Sequence, residues 1–153
     1  MDIFKRYVVV CSLFLASAGV LSAQTARLID DLLEAQVVSF ETACAVVLAA
    51  AGPAVPDPIP ETAYKKAFEM GALPKSVEPE AAIKLGQLSF LIMKAFNMKS
   101  GFWYALFPGP RYAYRELAYR KIIQGRNDPS LTVSGERLLL ILGRTLDYTG
   151  ADR

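Results

Sequence analysis

The chain has 153 residues, 53% of them hydrophobic, with 17 Lys and Arg against 15 Asp and Glu and no His. A net charge of +2 gives no footing for nucleic-acid binding by phosphate neutralisation. The absence of His removes the commonest metal ligand and the commonest general base together, so no metal, no cofactor and no enzymatic role is expected.

The first segment, "MDIFKRYVVVCSLFLASAGVLSAQ", has the layout of a secretory signal peptide. Lys5 and Arg6 precede an apolar run from Tyr7 to about Leu21, and Leu21-Ser22-Ala23 suits cleavage before Gln24. The run is short for a membrane span, which needs roughly 20 apolar residues. The expectation is a signal peptide over 1–23 and one domain over 24–153, exported to the periplasm or cell envelope. Net charge falls from +2 to +1 as Asp2, Lys5 and Arg6 leave. Cys44 then stands alone, which excludes an intramolecular disulfide; within "ETACAVVLAAAG" it reads as a small buried hydrophobe.

Residues 26–37, "ARLIDDLLEAQV", read as an amphipathic helix with Leu28, Ile29, Leu32 and Leu33 on one face. V-S-F-E at 38–41 then heads an apolar run, as V-E-P-E at 77–80 and V-S-G-E at 133–136 do. Aligned on Val38, Val77 and Val133, apolar or small residues recur at helical spacing: Ala43, Val46, Val47 and Ala50; Ala82, Leu85, Gly86 and Ser89; Leu138, Ile141, Leu142 and Thr145. The motif reads as a helix start. Ser39 and Ser134 can accept an orphan backbone N–H, and the following Glu meets the positive end of the helix dipole. In the middle copy Pro79 takes a first helical position.

The proline-rich stretch "AGPAVPDPIP" (51–60) reads as stiff and extended. Beyond it, "AYKKAFEMGALP" (63–74) matches "AYRELAYRKIIQG" (113–125), pairing Ala63 with Ala113, Tyr64 with Tyr114, Lys65 with Arg115, Ala67 with Leu117 and Leu73 with Ile123. The chain therefore reads as three helix-turn-helix repeats, near 26–52, 61–99 and 111–148. Between the second and third lies the densest aromatic stretch, "SGFWYALFPGPRYAY" (100–114).

This unit resembles the S-layer homology motif, in which a helix, a loop with a Gly and then a Pro, and a second helix opened by Thr-Arg-Ala-Glu are repeated. The closest likeness is in the third unit, "AYRELAYRKIIQGRNDPSLTVSGERLLLILGRTL", with Gly125 before the loop and Pro129 within it; the middle unit keeps Gly71 and Pro74. The resemblance implies an all-α, pseudo-threefold domain. The signature Arg of wall-binding members falls at Ser39, Glu78 and Ser134, so no family binding residue carries over.

The expected function is a non-catalytic envelope module that binds cell-wall polysaccharide or an envelope protein. The alternative is an assembly subunit of a periplasmic complex acting through protein contacts only. Contact with a membrane surface, without spanning, is a further expectation. The candidate surface comprises Phe102, Trp103, Tyr104, Phe107, Arg111, Tyr112 and Arg115, because aromatic faces stack on sugars and anchor interfaces while Arg adds directional donors. For an enzyme the candidate carboxylates are Asp30, Asp31, Glu34, Glu61, Glu69, Glu78, Glu80, Glu116 and Glu136, and no spacing among them selects the pair that hydrolysis of a glycoside needs.

Overall fold

The computed structural model describes residues 29–52, 59–99, 101–125 and 128–151. The chain divides into two units, 1–34 and 35–153. The expected signal peptide lies outside the described residues. In the first unit residues 29–34 are helical.

The second unit is helical: α1 (Phe40–Ala51), α2 (Pro60–Glu69), α3 (Leu85–Ala95), α4 (Phe102–Leu106), α5 (Pro110–Tyr119) and α6 (Gly135–Ala151). No strand occurs among the described residues; two isolated antiparallel bridges, Ser39 with Ala82 and Lys84 with Thr132, are the sole extended pairings there. Most of the proline-rich stretch, 53–58, lies outside the described residues. Its last member, Pro60, opens α2, where a missing N–H costs no helical hydrogen bond.

Two helix starts follow the expected chemistry. Ser39, in extended conformation, accepts the Thr42 N–H on its Oγ at 3.2 Å. Ser134 Oγ accepts the Arg137 N–H at 3.4 Å. Glu41 and Glu136 occupy the first turns of α1 and α6, where the helix dipole favours an anion.

The middle start corrects the sequence alignment. No helix begins at Pro79: residues 77–84 form a turn and an extended segment, and α3 starts at Leu85. Val77 gives its carbonyl to the Tyr64 hydroxyl. Pro79 gives its carbonyl to the Glu41 N–H at 3.0 Å, and Ala82, expected on the buried stripe, is exposed. The residue that matches Val38 and Val133 in place is Ile83. The N–H of the N-cap residue Lys84 donates to Gln87 Oε1 at 3.0 Å, and the first N–H groups of α3, those of Leu85 and Gly86, donate to the carbonyls of Leu131 and Pro129 at 2.8 and 2.9 Å.

These three residues form a closed circuit. Val38 N–H donates to the Val133 carbonyl at 2.9 Å, Val133 N–H to the Ile83 carbonyl at 3.2 Å, and Ile83 N–H to the Val38 carbonyl at 2.9 Å. Two residues further along each segment a second donor reaches a neighbouring segment: Phe40 to Ala81, Leu85 to Leu131 and Gly135 to Ala35, at 3.0, 2.8 and 2.9 Å. The circuit's side chains are at most 1% exposed, so every backbone polar group there must find a protein partner.

From the circuit α1, α3 and α6 carry the core. Ala43, Val47, Leu88, Leu91, Ile92, Leu138, Ile141 and Leu142 are all buried. Burial of each large side chain contributes about 1.5–3 kcal/mol. Gly86 lies where a Cβ would stand 3.3 Å from both Cβ and O of Pro129, so a larger residue there requires Pro129 to give by a few tenths of an ångström.

The closest helix pairs are α1 with α2 and α3 with α5. For the second and third units the hairpin read from sequence is corrected here: α2 packs on α1 and α5 on α3, so the first helix of each packs on the second helix of the unit before it. Helices α2, α3 and α5 share one ending, in which a residue of positive φ (Gly71 at 64°, Asn97 at 45°, Lys121 at 59°) is followed by a buried residue. Ala72 N–H reaches Ala67, Met98 N–H reaches Met93 and Ile122 N–H reaches Leu117, at 3.0, 3.1 and 3.0 Å. This is the Schellman ending, which caps the last carbonyls and turns the chain under the helix.

Candidate functional site

The aromatic stretch forms the short helix α4, a Pro-Gly-Pro turn and the start of α5. Pro110 takes the first helical position of α5 after extended Gly109. The 3.6-residue period of α5 then buries Ala113, Tyr114 and Leu117 and leaves Arg111 and Arg115 exposed.

Tyr104 on α4 turns inward. Its ring meets that of Phe90 on α3 at 6.2 Å, tilted by 58°, and Lys94 Nζ lies 5.7 Å from the Phe90 centroid. Tyr104 is only 8% exposed, and its hydroxyl finds no hydrogen-bond partner among the described residues. Burial raises its pKa, so the hydroxyl stays protonated and available as a donor.

Tyr112 stacks on Phe107, with ring centroids 6.1 Å apart and planes at 27°. Glu116 is held by Arg120 one turn along α5, with Nη2 at 2.8 Å and Nε at 3.0 Å from the same Oε1. Arg120 also donates to the Lys99 carbonyl and lies over the Tyr148 ring, 5.1 Å from its centroid. The other oxygen of Glu116 presses on Gly101, where a Cβ would stand 2.6 Å from Oε2. The ion pair therefore fixes α5 against the backbone that leads into α4.

Tyr104, Tyr112, Arg115 and Glu116 line a cleft of about 390 Å³. Of the residues expected from sequence, the cleft gathers Tyr104, Tyr112 and Arg115. Phe102 and Phe107, 73% and 52% exposed, are not in its lining, nor is Arg111. The backbone of Trp103 belongs to α4, and its side chain lies outside the described residues. Glu116 figured in the sequence only among the candidate carboxylates, and the sequence reading did not join it to the aromatic surface. The available signal was its spacing of four from Arg120, which on a helix brings the two side chains together.

The cleft offers a protonated phenol, a stacked aromatic face, an exposed guanidinium and a carboxylate already engaged by an Arg. That set can bind and orient a polar ligand. It lacks a second carboxylate for acid–base cleavage. Among the described residues no cluster of His, Cys, Asp or Glu could hold a metal ion. A second cleft, about 490 Å³, lies at the C-terminal ends of α1, α3 and α6; among the described residues it is lined by Ala50 to Gly52, Ala95 to Asn97, Leu146, Thr149 and Gly150, none of them ionisable. Among the described residues no helix is long and apolar enough to cross a membrane. Comparison with protein-family models, with curated proteins and with solved structures finds no match.

Proposed function

We propose that this chain is a non-catalytic, exported module of the cell envelope, and that its cleft binds a sugar unit of a cell-wall polysaccharide. The observation that carries this reading is the Tyr104 hydroxyl, buried and, among the described residues, without a hydrogen-bond partner, on a residue that lines an open cleft. An orphaned buried hydroxyl costs about 1–3 kcal/mol, and a ligand oxygen would remove that cost. Tyr112 supplies a face for the apolar side of a sugar ring, and Arg115 supplies donors at the rim.

The three-unit, S-layer-homology-like arrangement belongs to the same proposal. The hydrogen-bond circuit of Val38, Ile83 and Val133 supports it, as does the shared ending of α2 and α5. In the register set by Ile83, the place of the family's signature Arg falls on Ser39, Lys84 and Ser134 rather than on Glu78.

The test is sedimentation with cell wall stripped of its proteins. Wild type is expected to pellet with the wall, and Tyr104→Phe to bind about fivefold to tenfold more weakly, the loss of one hydrogen bond. Tyr104→Phe keeps the ring packing on Phe90, so its unfolding midpoint is expected to stay or rise. Retention that appears only when an envelope protein is added would replace the glycan reading with the protein-docking one.

A further inference from the structure

A second surface lies beside the cleft and has a different chemistry. Phe102, Leu106 and Phe107 are 73%, 55% and 52% exposed and cluster on α4 and the residue after it. On a helix, positions four apart share a face, so Phe102 and Leu106 form one apolar ridge that Phe107 extends. Such a ridge on a five-residue helix is far below the roughly 800 Å² per partner of a stable protein interface.

The charge around the ridge has one sign. From residue 81 to residue 115 the sequence contains no Asp or Glu, while Lys94, Lys99, Arg111 and Arg115, with Lys84 before them, fall within it. Lys99 and Arg111 flank α4 in the chain, and Arg115 follows Arg111 by one turn of α5. Lys94 sits over Phe90, which packs on Tyr104 of α4, and the Lys99 carbonyl is bound by Arg120. Glu116, the acid that adjoins Gly101, is occupied by Arg120.

We infer that α4 docks on an anionic bilayer surface, with Phe102, Leu106 and Phe107 entering the headgroup boundary and Lys94, Lys99, Arg111 and Arg115 meeting lipid phosphates. A short apolar ridge flanked by Lys and Arg is the arrangement that interfacial binding requires, and neither the area nor the charge calls for a span. This surface shares Arg115 with the cleft, and its Phe107 stacks on the cleft's Tyr112.

The chain's single Trp, Trp103, belongs to α4 and reports on it locally. The full chain is mixed with vesicles of phosphatidylglycerol and phosphatidylcholine carrying brominated acyl chains, and Trp103 quenching is followed. Quenching is expected with anionic vesicles and is expected to fall away in high salt and in pure phosphatidylcholine. Arg111→Gln is expected to weaken partitioning about fivefold, the share of one base near an anionic surface. The double variant Leu106→Ser, Phe107→Ser is expected to abolish quenching; both side chains are more than half exposed, so the fold is retained. Vesicle sedimentation without Trp103 quenching would overturn the inference, because another segment then makes the contact. So would quenching unchanged in the double variant, or a Trp103 response to wall polysaccharide with none to vesicles.

Discussion

Lys121 holds φ at 59° in the position where α2 uses Gly71 at 64°. A side chain there costs about 1–2 kcal/mol, while glycine gives back part of that through its freer unfolded chain. Lys121→Gly is expected to stabilise the protein by about 0.5–1 kcal/mol, read as a higher urea midpoint with unchanged slope. Cys44 is the second telling residue. It is fully buried, and burial first, with the Glu41 charge second, pushes its thiol from 9.0 up to about 12. The folded state therefore holds a proton that the unfolded chain releases near its ordinary value. The contribution is complete below pH 9 and is lost as pH rises toward 12. Cys44→Ala is expected to flatten that alkaline decline in the unfolding midpoint, and native Cys44 is expected to resist thiol reagents until the chain unfolds.

Among the elements, α3 shows what burial decides and what local signals hide. Leu88, Leu91 and Ile92 are fully buried, so Ile92→Ala is expected to cost about 2–5 kcal/mol, a large share of a typical 5–15 kcal/mol. Denaturant titration checks it, with exposed Glu61→Ala, which breaks only the surface pair with Lys65, expected to leave the midpoint in place. The helical character of these segments was legible because apolar period and Ser caps agree in α1 and α6. The start of α3 was not legible. V-E-P-E at 77–80 imitates a cap, whereas Ile83-Lys84-Leu85-Gly86 carries neither Ser nor Glu, and its first helical N–H groups are met by the carbonyls of Leu131 and Pro129. The pairing of α1 with α2 was hidden too, because the proline-rich stretch between them reads as a stiff spacer and gives no sign of a turn. The aromatic segment was legible as a surface of interest. Its division into a cleft and a ridge was not, since that follows from which way α4 and α5 turn, which is set by Phe90 and the pair of Glu116 and Arg120.

At the scale of the molecule the circuit of Val38, Ile83 and Val133 joins three segments that are remote in sequence. Each of its N–H groups is expected to open only with the whole unit. Native-state hydrogen exchange should therefore give the three amides one common, slowest rate, with Ile83→Pro abolishing that protection for all three. Since each segment both gives and receives, no two of them are self-sufficient. A chain cut short before Val133 leaves the Val38 N–H and the Ile83 carbonyl unanswered at its centre. Nascent or clipped chains are thus held open until the last segment arrives, and proteases meet an all-or-none target.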